Sequence, residues 1–134
     1  MKIKLNATNR LERELTVQGG VIDLLIPGGW VWKRLPDSIH NQRTGIGFDG
    51  ILFASPVVLP VEVKIGLKKL TPKEDAFKDK LTDLGYSFMV LRWFNDACWT
   101  ATIERADSPA IRSGMGSLVT TITYVITNLT TKGV

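Results

Sequence analysis

The sequence predicts one α/β domain built around a mixed β-sheet that is flanked by helices. Its 134 residues are the length of a single ordinary domain. A composition of 44% hydrophobic and 22% charged residues is typical of a globular chain that buries a core. Segments with strand-like and helix-like hydrophobic spacing alternate along the chain, with no internal repeat and no linker-like stretch between them. We therefore treat residues 1–134 as one domain.

The N-terminal part of the chain predicts a helix, a strand and a loop. Apolar residues at helical spacing favour a helix over residues 9–26, although Gly19 and Gly20 weaken it, and the following "PGG" ends it. Residues 30–35 alternate between apolar and polar side chains, as a strand does. The polar stretch 36–47 is typical of a loop.

The middle of the chain predicts two buried strands and a helix. Residues 48–54 and 59–65 are rich in Val, Ile and Leu and are joined by a short turn. The segment "LTPKEDAFKDKLTDLG" has the signs of a helix start, because Thr71 can cap, Pro72 suits the first position and Glu74 can close a capping box.

The last third of the chain predicts two more strands and a final helix. Residues 87–94 and 98–104 have strand composition, and leucine, isoleucine and valine at helical spacing favour a helix over residues 108–131. The predicted order is α-β-β-β-α-β-β-α.

The residue counts exclude several kinds of site and partner. One cysteine and one histidine exclude a disulfide within the chain, a cysteine-based zinc site and a site with two histidines. A metal ion would be held mainly by carboxylates, which favours Mg²⁺, Mn²⁺ or Ca²⁺. The net charge of +4 is compatible with a polyanionic partner. The charged N-terminus is unlike a secretory signal and no apolar run is long enough for a membrane span, so we expect a cytoplasmic protein.

Two motif matches have little support from their surroundings. "GIGFDG" at residues 45–50 has the spaced glycines of a dinucleotide-binding motif, but that motif needs a strand before it and a helix after it. Cys98 and His40 are the residue types of a nucleophile and its base, yet nothing local pairs them. An inert buried Cys98 is the favoured interpretation.

The strongest candidate site combines Asp49 with "VEVK" at residues 61–64. Alternate residues of a strand share a face, so Glu62 and Lys64 point one way and the valines point the other way. Asp49 would lie beside Glu62 if their strands pair. Two carboxylates and a lysine suit a divalent cation that activates water for attack on a phosphodiester. The alternative is an edge strand with a solvated face, because a Glu-x-Lys triplet has about even odds of arising by chance.

The order of these residues resembles the PD-(D/E)xK nuclease superfamily, and most closely its VRR-NUC branch, known from phage proteins and larger repair nucleases. The likeness covers residues 30–94. It consists of a glycine-flanked Asp before a strand, Glu-x-Lys in the next strand, the basic turn "GLKKLTP", a helix, and a glycine before another apolar strand. "LEREL" near the N-terminus is similar to archaeal Holliday-junction resolvases of the same superfamily. Phe48 stands where the family motif has proline.

The resemblance implies a restriction-endonuclease-like core of phage or prokaryotic origin. It also implies an endonuclease that depends on Mg²⁺ or Mn²⁺ and acts on structured or branched DNA. Asp49 and Glu62 would be catalytic metal ligands, and Lys64 would be the catalytic lysine.

The resemblance also implies accessory residues. The Val63 carbonyl and an acid of the first helix would complete the metal site; Glu12 is the first candidate for that acid and Glu14 the second. Glu74 stands where VRR-NUC members usually carry Gln, and it would either face the metal or only close the capping box. Apart from the resemblance, the position of His40 in the polar loop favours a surface or ligand-contacting side chain over a general base.

The expected partners are DNA and a second copy of the chain. Enzymes that cut two strands or a junction often act as dimers, and residues 95–134 match no pattern and would finish the core or bury against that copy. The alternatives are a non-catalytic DNA- or protein-binding module on the same fold, and a structural interaction protein. Polar and basic side chains near the site would contact DNA phosphates: Arg34, Ser38, Asn41, Gln42, Arg43, Lys68, Lys69 and Lys73.

Overall fold

The structure is a computed structural model that describes residues 21–35 and 48–131. The helices and strands follow one another along the chain in the order α-β-β-β-α-β-β-β-α. The elements are α1 (Ile22–Leu25), β1 (Val31–Arg34), β2 (Gly50–Ala54), β3 (Val57–Ile65), α2 (Pro72–Asp83), β4 (Phe88–Asn95), β5 (Cys98–Glu104), β6 (Ile111–Arg112) and α3 (Leu118–Thr131).

The described strands form one mixed sheet in which spatial order follows chain order, from β1 to β6. The pairs β1–β2 and β2–β3 are antiparallel, β3–β4 is parallel, and β4–β5 and β5–β6 are antiparallel. The single parallel pair is joined by α2, because a connection between parallel strands must return along the sheet. The predicted α/β class and mixed sheet are confirmed.

The two faces of the sheet have different roles. We call the face covered by α3 the core face; its buried cluster includes Val61, Val63 and Leu91 from the sheet and Ile122 and Val125 from α3. We call the opposite face the site face, because alternation along β3 places Glu62 and Lys64 there. α2 covers this second face, so both faces of the central strands are buried.

α2 begins and ends where the sequence predicts. The Thr71 side chain accepts a hydrogen bond from the Glu74 amide, and the Glu74 side chain accepts one from the Thr71 amide, so the capping box is complete. Gly85 follows with φ of 95°, a conformation that a residue with a side chain rarely adopts. The capping box and the terminal glycine are both local sequence features, so the sequence alone was sufficient to predict where α2 begins and ends.

The predicted helix over residues 108–131 is wrong at its start. Ile111 and Arg112 form β6 beside β5, and α3 begins only at Leu118. Ser117 caps it, since its Oγ accepts a hydrogen bond from the Thr120 amide at 3.1 Å. Of the helix predicted over residues 9–26, the structure describes only the end, as α1; residues 9–20 lie outside the described residues.

Candidate active site

Pairing of β2 with β3 brings the two predicted carboxylates together. Gly50 pairs with Val61, so the preceding Asp49 lies opposite Glu62. The Asp49 amide donates to the Val61 carbonyl at 2.9 Å, and Asp49 Oδ2 accepts from the Val63 amide at 2.6 Å. The backbone of β3 thus fixes the Asp49 carboxylate beside Glu62, as the strand order predicts.

Glu62 and Lys64 are buried rather than solvated. Their residues are only 4% and 3% exposed. β3 has a neighbouring strand on each side, and α2 covers the site face above these two side chains. The alternative interpretation of "VEVK" as a solvated edge strand is therefore wrong.

The close partner of Lys64 is Glu74 on α2. The Lys64 Nζ atom lies 2.6 Å from Glu74 Oε1 and 3.8 Å from Glu62 Oε1. The same Glu74 oxygen accepts the capping hydrogen bond from Thr71 at 2.8 Å. Glu74 therefore closes the capping box and, through the same oxygen, also contacts Lys64 of the candidate site.

Burial, hydrogen bonds and neighbouring charges shift the pKa of each of the three carboxyl groups. Burial raises the pKa of Asp49 to about 6, against the lowering effect of its hydrogen bond from Val63. Burial raises the pKa of Glu62 far more, because the charge of Asp49 and a hydrogen bond with Glu74 add to it. Burial also acts against ionisation of Glu74, but hydrogen bonds from Glu62 and Lys64 outweigh it and lower that pKa to about 2.

The donor set fits a divalent cation only in part. Among residues 21–35 and 48–131, no group of three or more His, Cys, Asp or Glu side chains is arranged to hold a metal ion. Asp49 and Glu62 nevertheless place two carboxyl groups side by side, with the nearby lysine paired mainly to Glu74. A divalent cation would balance this excess of buried acid, and oxygen donors of this kind suit Mg²⁺ or Mn²⁺.

Two contacts that the sequence did not predict support the site. Arg92 on β4 stands opposite Lys64 and donates to the carbonyls of Gly66 and Lys68 at 3.0 and 2.6 Å, which holds the basic turn after β3. Phe48 stacks on Phe77 of α2 with ring centroids 5.7 Å apart. Phe77 lies one turn after Glu74, so α2 contacts the chain beside Asp49 as well as Lys64.

The predicted DNA-contact residues divide into three groups. Lys68, Lys69 and Lys73 are exposed in the turn and helix start next to Lys64. Arg34 pairs with Gly50, whose other partner is Val61, so it belongs to the core-face row rather than to the row of Glu62. The remaining predicted site and contact residues lie outside the described residues: Glu12, Glu14, Ser38, His40, Asn41, Gln42 and Arg43.

Two comparisons with known proteins found no match. No family model matches the sequence, and no curated protein matches it. In the part of the chain that the structure describes, no helix is long and apolar enough to cross a membrane.

Proposed function

We propose that the protein is a divalent-metal-dependent DNA nuclease of the PD-(D/E)xK type, with Asp49, Glu62 and Lys64 as its catalytic residues. The observation that carries the proposal is the convergence of these side chains, from β3 and from the residue before β2, in one cluster on the site face, with Glu62 and Lys64 buried and Asp49 half-buried. A buried group of two acids and a lysine is costly to a fold, and such groups are concentrated at functional sites.

The topology also supports this proposal. After Asp49, the elements β2, β3, α2 and β4 follow one another in the order that the resemblance implies for a restriction-endonuclease-like core. The site acids lie on β3 and immediately before β2, next to the turn that carries Lys68 and Lys69. We infer that this basic turn contacts DNA phosphates beside the scissile bond.

The residues divide the chemistry between them. Asp49, held by the Val63 amide, and Glu62 would hold the cation, with the Val63 carbonyl and Glu12 as the further ligands that the resemblance implies. A bound Mg²⁺ or Mn²⁺ would supply charge to screen the phosphate and to acidify water. Lys64 would donate hydrogen bonds to the scissile phosphate or to the attacking water, which stabilises negative charge as it develops.

Cleavage assays test the proposal directly. Labelled single-stranded, duplex, flap and four-way-junction DNA would be incubated with the protein and Mg²⁺, Mn²⁺ or EDTA. We expect metal-dependent products, with structured or branched DNA preferred. We expect Asp49→Ala, Glu62→Ala and Lys64→Ala each to reduce the rate by at least about 100-fold, because each removes a group that meets the reacting atoms.

The matched control for Lys64→Ala is Lys80→Ala, which removes an exposed lysine near the end of α2. Circular dichroism would verify folding of each variant, because Lys64→Ala leaves buried acids without their cation. A Lys64→Ala protein that cuts as fast as wild type would contradict the mechanism. Tight DNA binding without products from any sample would favour the non-catalytic binding module.

A homodimer remains part of the proposal. Two copies would bring two sites to the two strands of a duplex or junction. Light scattering at the concentration of the cleavage assay tests this, and we expect twice the chain mass of 14.9 kDa. A monomeric mass at that concentration would exclude the dimer and leave the nuclease proposal intact.

A further inference from the structure

Glu74 is the point at which α2 meets the candidate catalytic lysine. Its Oε1 atom lies 2.6 Å from Lys64 Nζ and accepts the Thr71 amide hydrogen bond at 2.8 Å. The Glu74 amide in turn donates to the Thr71 hydroxyl at 3.2 Å. Two hydrogen bonds with Thr71, one from the Glu74 amide and one to the Glu74 carboxylate, thus hold Glu74 in place beside Lys64.

The geometry gives Lys64 a choice of partners, and Glu74 is the closer one. Lys64 ends a flexible four-carbon stem, and its ammonium lies 3.8 Å from Glu62 but 2.6 Å from Glu74. Because the side chain of Lys64 is only 4% exposed, bulk water does not compete strongly for this charge. The fixed carboxylate on α2 therefore determines where the buried ammonium lies.

We propose that Glu74 is a positioning residue that anchors the ammonium of Lys64 beside the acids of the site. This inference rests on the proposed nuclease function for its kinetic consequence, but the anchoring itself does not depend on it. With Glu74 in place, Lys64 is kept off Glu62, and Glu62 stays available for the cation. The capping box of α2 is then part of the functional apparatus as well as a helix start.

The variant that separates anchoring from capping is Glu74→Gln. Glutamine also closes a capping box, so the helix start and the melting temperature should change little. The negative charge that holds Lys64 is lost, so the ammonium is held less firmly. We expect kcat to fall about 10-fold while KM for DNA stays the same, because the amide oxygen that VRR-NUC members usually carry here still accepts a hydrogen bond from Lys64 but one about half as strong as a carboxylate accepts.

The matched control is Asp75→Asn, because it removes the same charge from the next residue of the same helical turn. Asp75 is exposed and pairs with Lys78 at 2.8 Å, away from the site. We expect wild-type kcat and KM from this variant. A second variant, Glu74→Asp, keeps the charge on a shorter side chain and should recover part of the kcat that Glu74→Gln loses.

A measurement without DNA or metal tests the anchor independently of cleavage. Reductive methylation modifies only the neutral amine, so its rate at each lysine, quantified by peptide mass spectrometry, reports how firmly an ion pair holds that side chain in its charged form. We expect slow modification of Lys64 in wild type and Asp75→Asn, and several-fold faster modification in Glu74→Gln.

The outcomes separate the two proposals. Faster Lys64 methylation with reduced kcat in Glu74→Gln supports the positioning role. Unchanged methylation, or faster methylation with wild-type kcat, would overturn it and leave Glu74 as a helix cap. A wild-type protein that cuts no DNA with any cation would overturn the nuclease function, while the methylation result would still decide whether Glu74 anchors Lys64.

Discussion

Glu62 is a carboxylic acid in a place where its ionised form is poorly tolerated. It is 4% exposed, next to Asp49 and hydrogen-bonded with Glu74, so the proton is retained to a much higher pH than in the unfolded chain. Lys64, at 3.8 Å, is too strongly engaged with Glu74 to neutralise it. The metal-free fold therefore contains an acid that opposes its stability at neutral pH.

This environment predicts that Glu62→Gln stabilises the metal-free protein. Above the unfolded pKa of 4.5 the unfolded chain loses the Glu62 proton and the folded chain keeps it, so stability falls as pH rises. Between pH 4.5 and pH 7 the loss amounts to about 3 kcal/mol. Thermal unfolding in EDTA should therefore give a higher melting temperature for Glu62→Gln at pH 7 and nearly equal values at pH 4.

A bound divalent cation should stabilise wild type more than Glu62→Gln. Mn²⁺ should raise the melting temperature of wild type more than that of Glu62→Gln, because the variant lacks one carboxylate for the ion. A variant that is less stable than wild type at pH 7 in EDTA would mean that Glu62 is ionised and well paired in the fold.

For individual residues, the sequence predicted that Asp49, Glu62 and Lys64 lie together. It did not predict that Lys64 pairs more closely with Glu74 than with Glu62. Asp49, Glu62 and Lys64 followed from strand alternation and strand order, which are periodic properties of the backbone. The ion pair with Glu74 and the hydrogen bonds of Arg92 depend on how α2 and β4 settle against β3. No spacing in the sequence encodes those distances.

At the scale of helices and strands, the sequence predicted the ends of an element where a full local motif marks them. Thr71 and Glu74 predicted the start of α2, because both halves of a capping box lie within four residues. β6 was missed because a strand of two residues is too short to display alternation. The glycines Gly114 and Gly116, just before α3, were the available signal against a helix that begins at residue 108.

β2 begins at a glycine that has no room for a side chain. A Cβ atom on Gly50 would lie 2.5 Å from Cη2 of Trp32 and 2.8 Å from the carbonyl oxygen of Lys33. The Trp32 ring lies in the core and the Lys33 carbonyl is backbone, so neither yields easily. The close approach of β1 to β2 thus depends on this residue, which directly follows Asp49.

We therefore expect Gly50→Ala to destabilise the protein and to disturb the site. Overpacking of this kind costs about 1–3 kcal/mol, and the shift of β2 would move the Asp49 carboxylate from the Val63 amide. Urea denaturation and cleavage assays measure the two effects. Gly114→Ala is the control, since a Cβ there meets no heavy atom within 4 Å. Wild-type stability of Gly50→Ala would show that β1 can move away without loss.

At the scale of the whole molecule, the sheet separates the main apolar core from the candidate site. The core face and α3 bury the largest part of the apolar cluster, whereas the site face holds the charged residues under α2. The C-terminal residues, for which the sequence predicted no certain role, thus complete the core through Leu118, Ile122 and Val125. A long amphipathic helix was predictable there, but the face it covers was not.

This separation predicts that Ile122→Ala lowers stability without lowering cleavage by the folded protein. Ile122 is 1% exposed in the core cluster, and truncation of such a residue costs about 2–5 kcal/mol. Urea denaturation measures the loss, and cleavage is measured at a temperature where circular dichroism reports a folded variant. Thr123→Ala, at the next and exposed position of α3, is the control and should change stability by less than about 0.5 kcal/mol. If the folded Ile122→Ala protein lost cleavage as Lys64→Ala is expected to, the two faces would be coupled through β3, and the positions of Glu62 and Lys64 would depend on packing against α3.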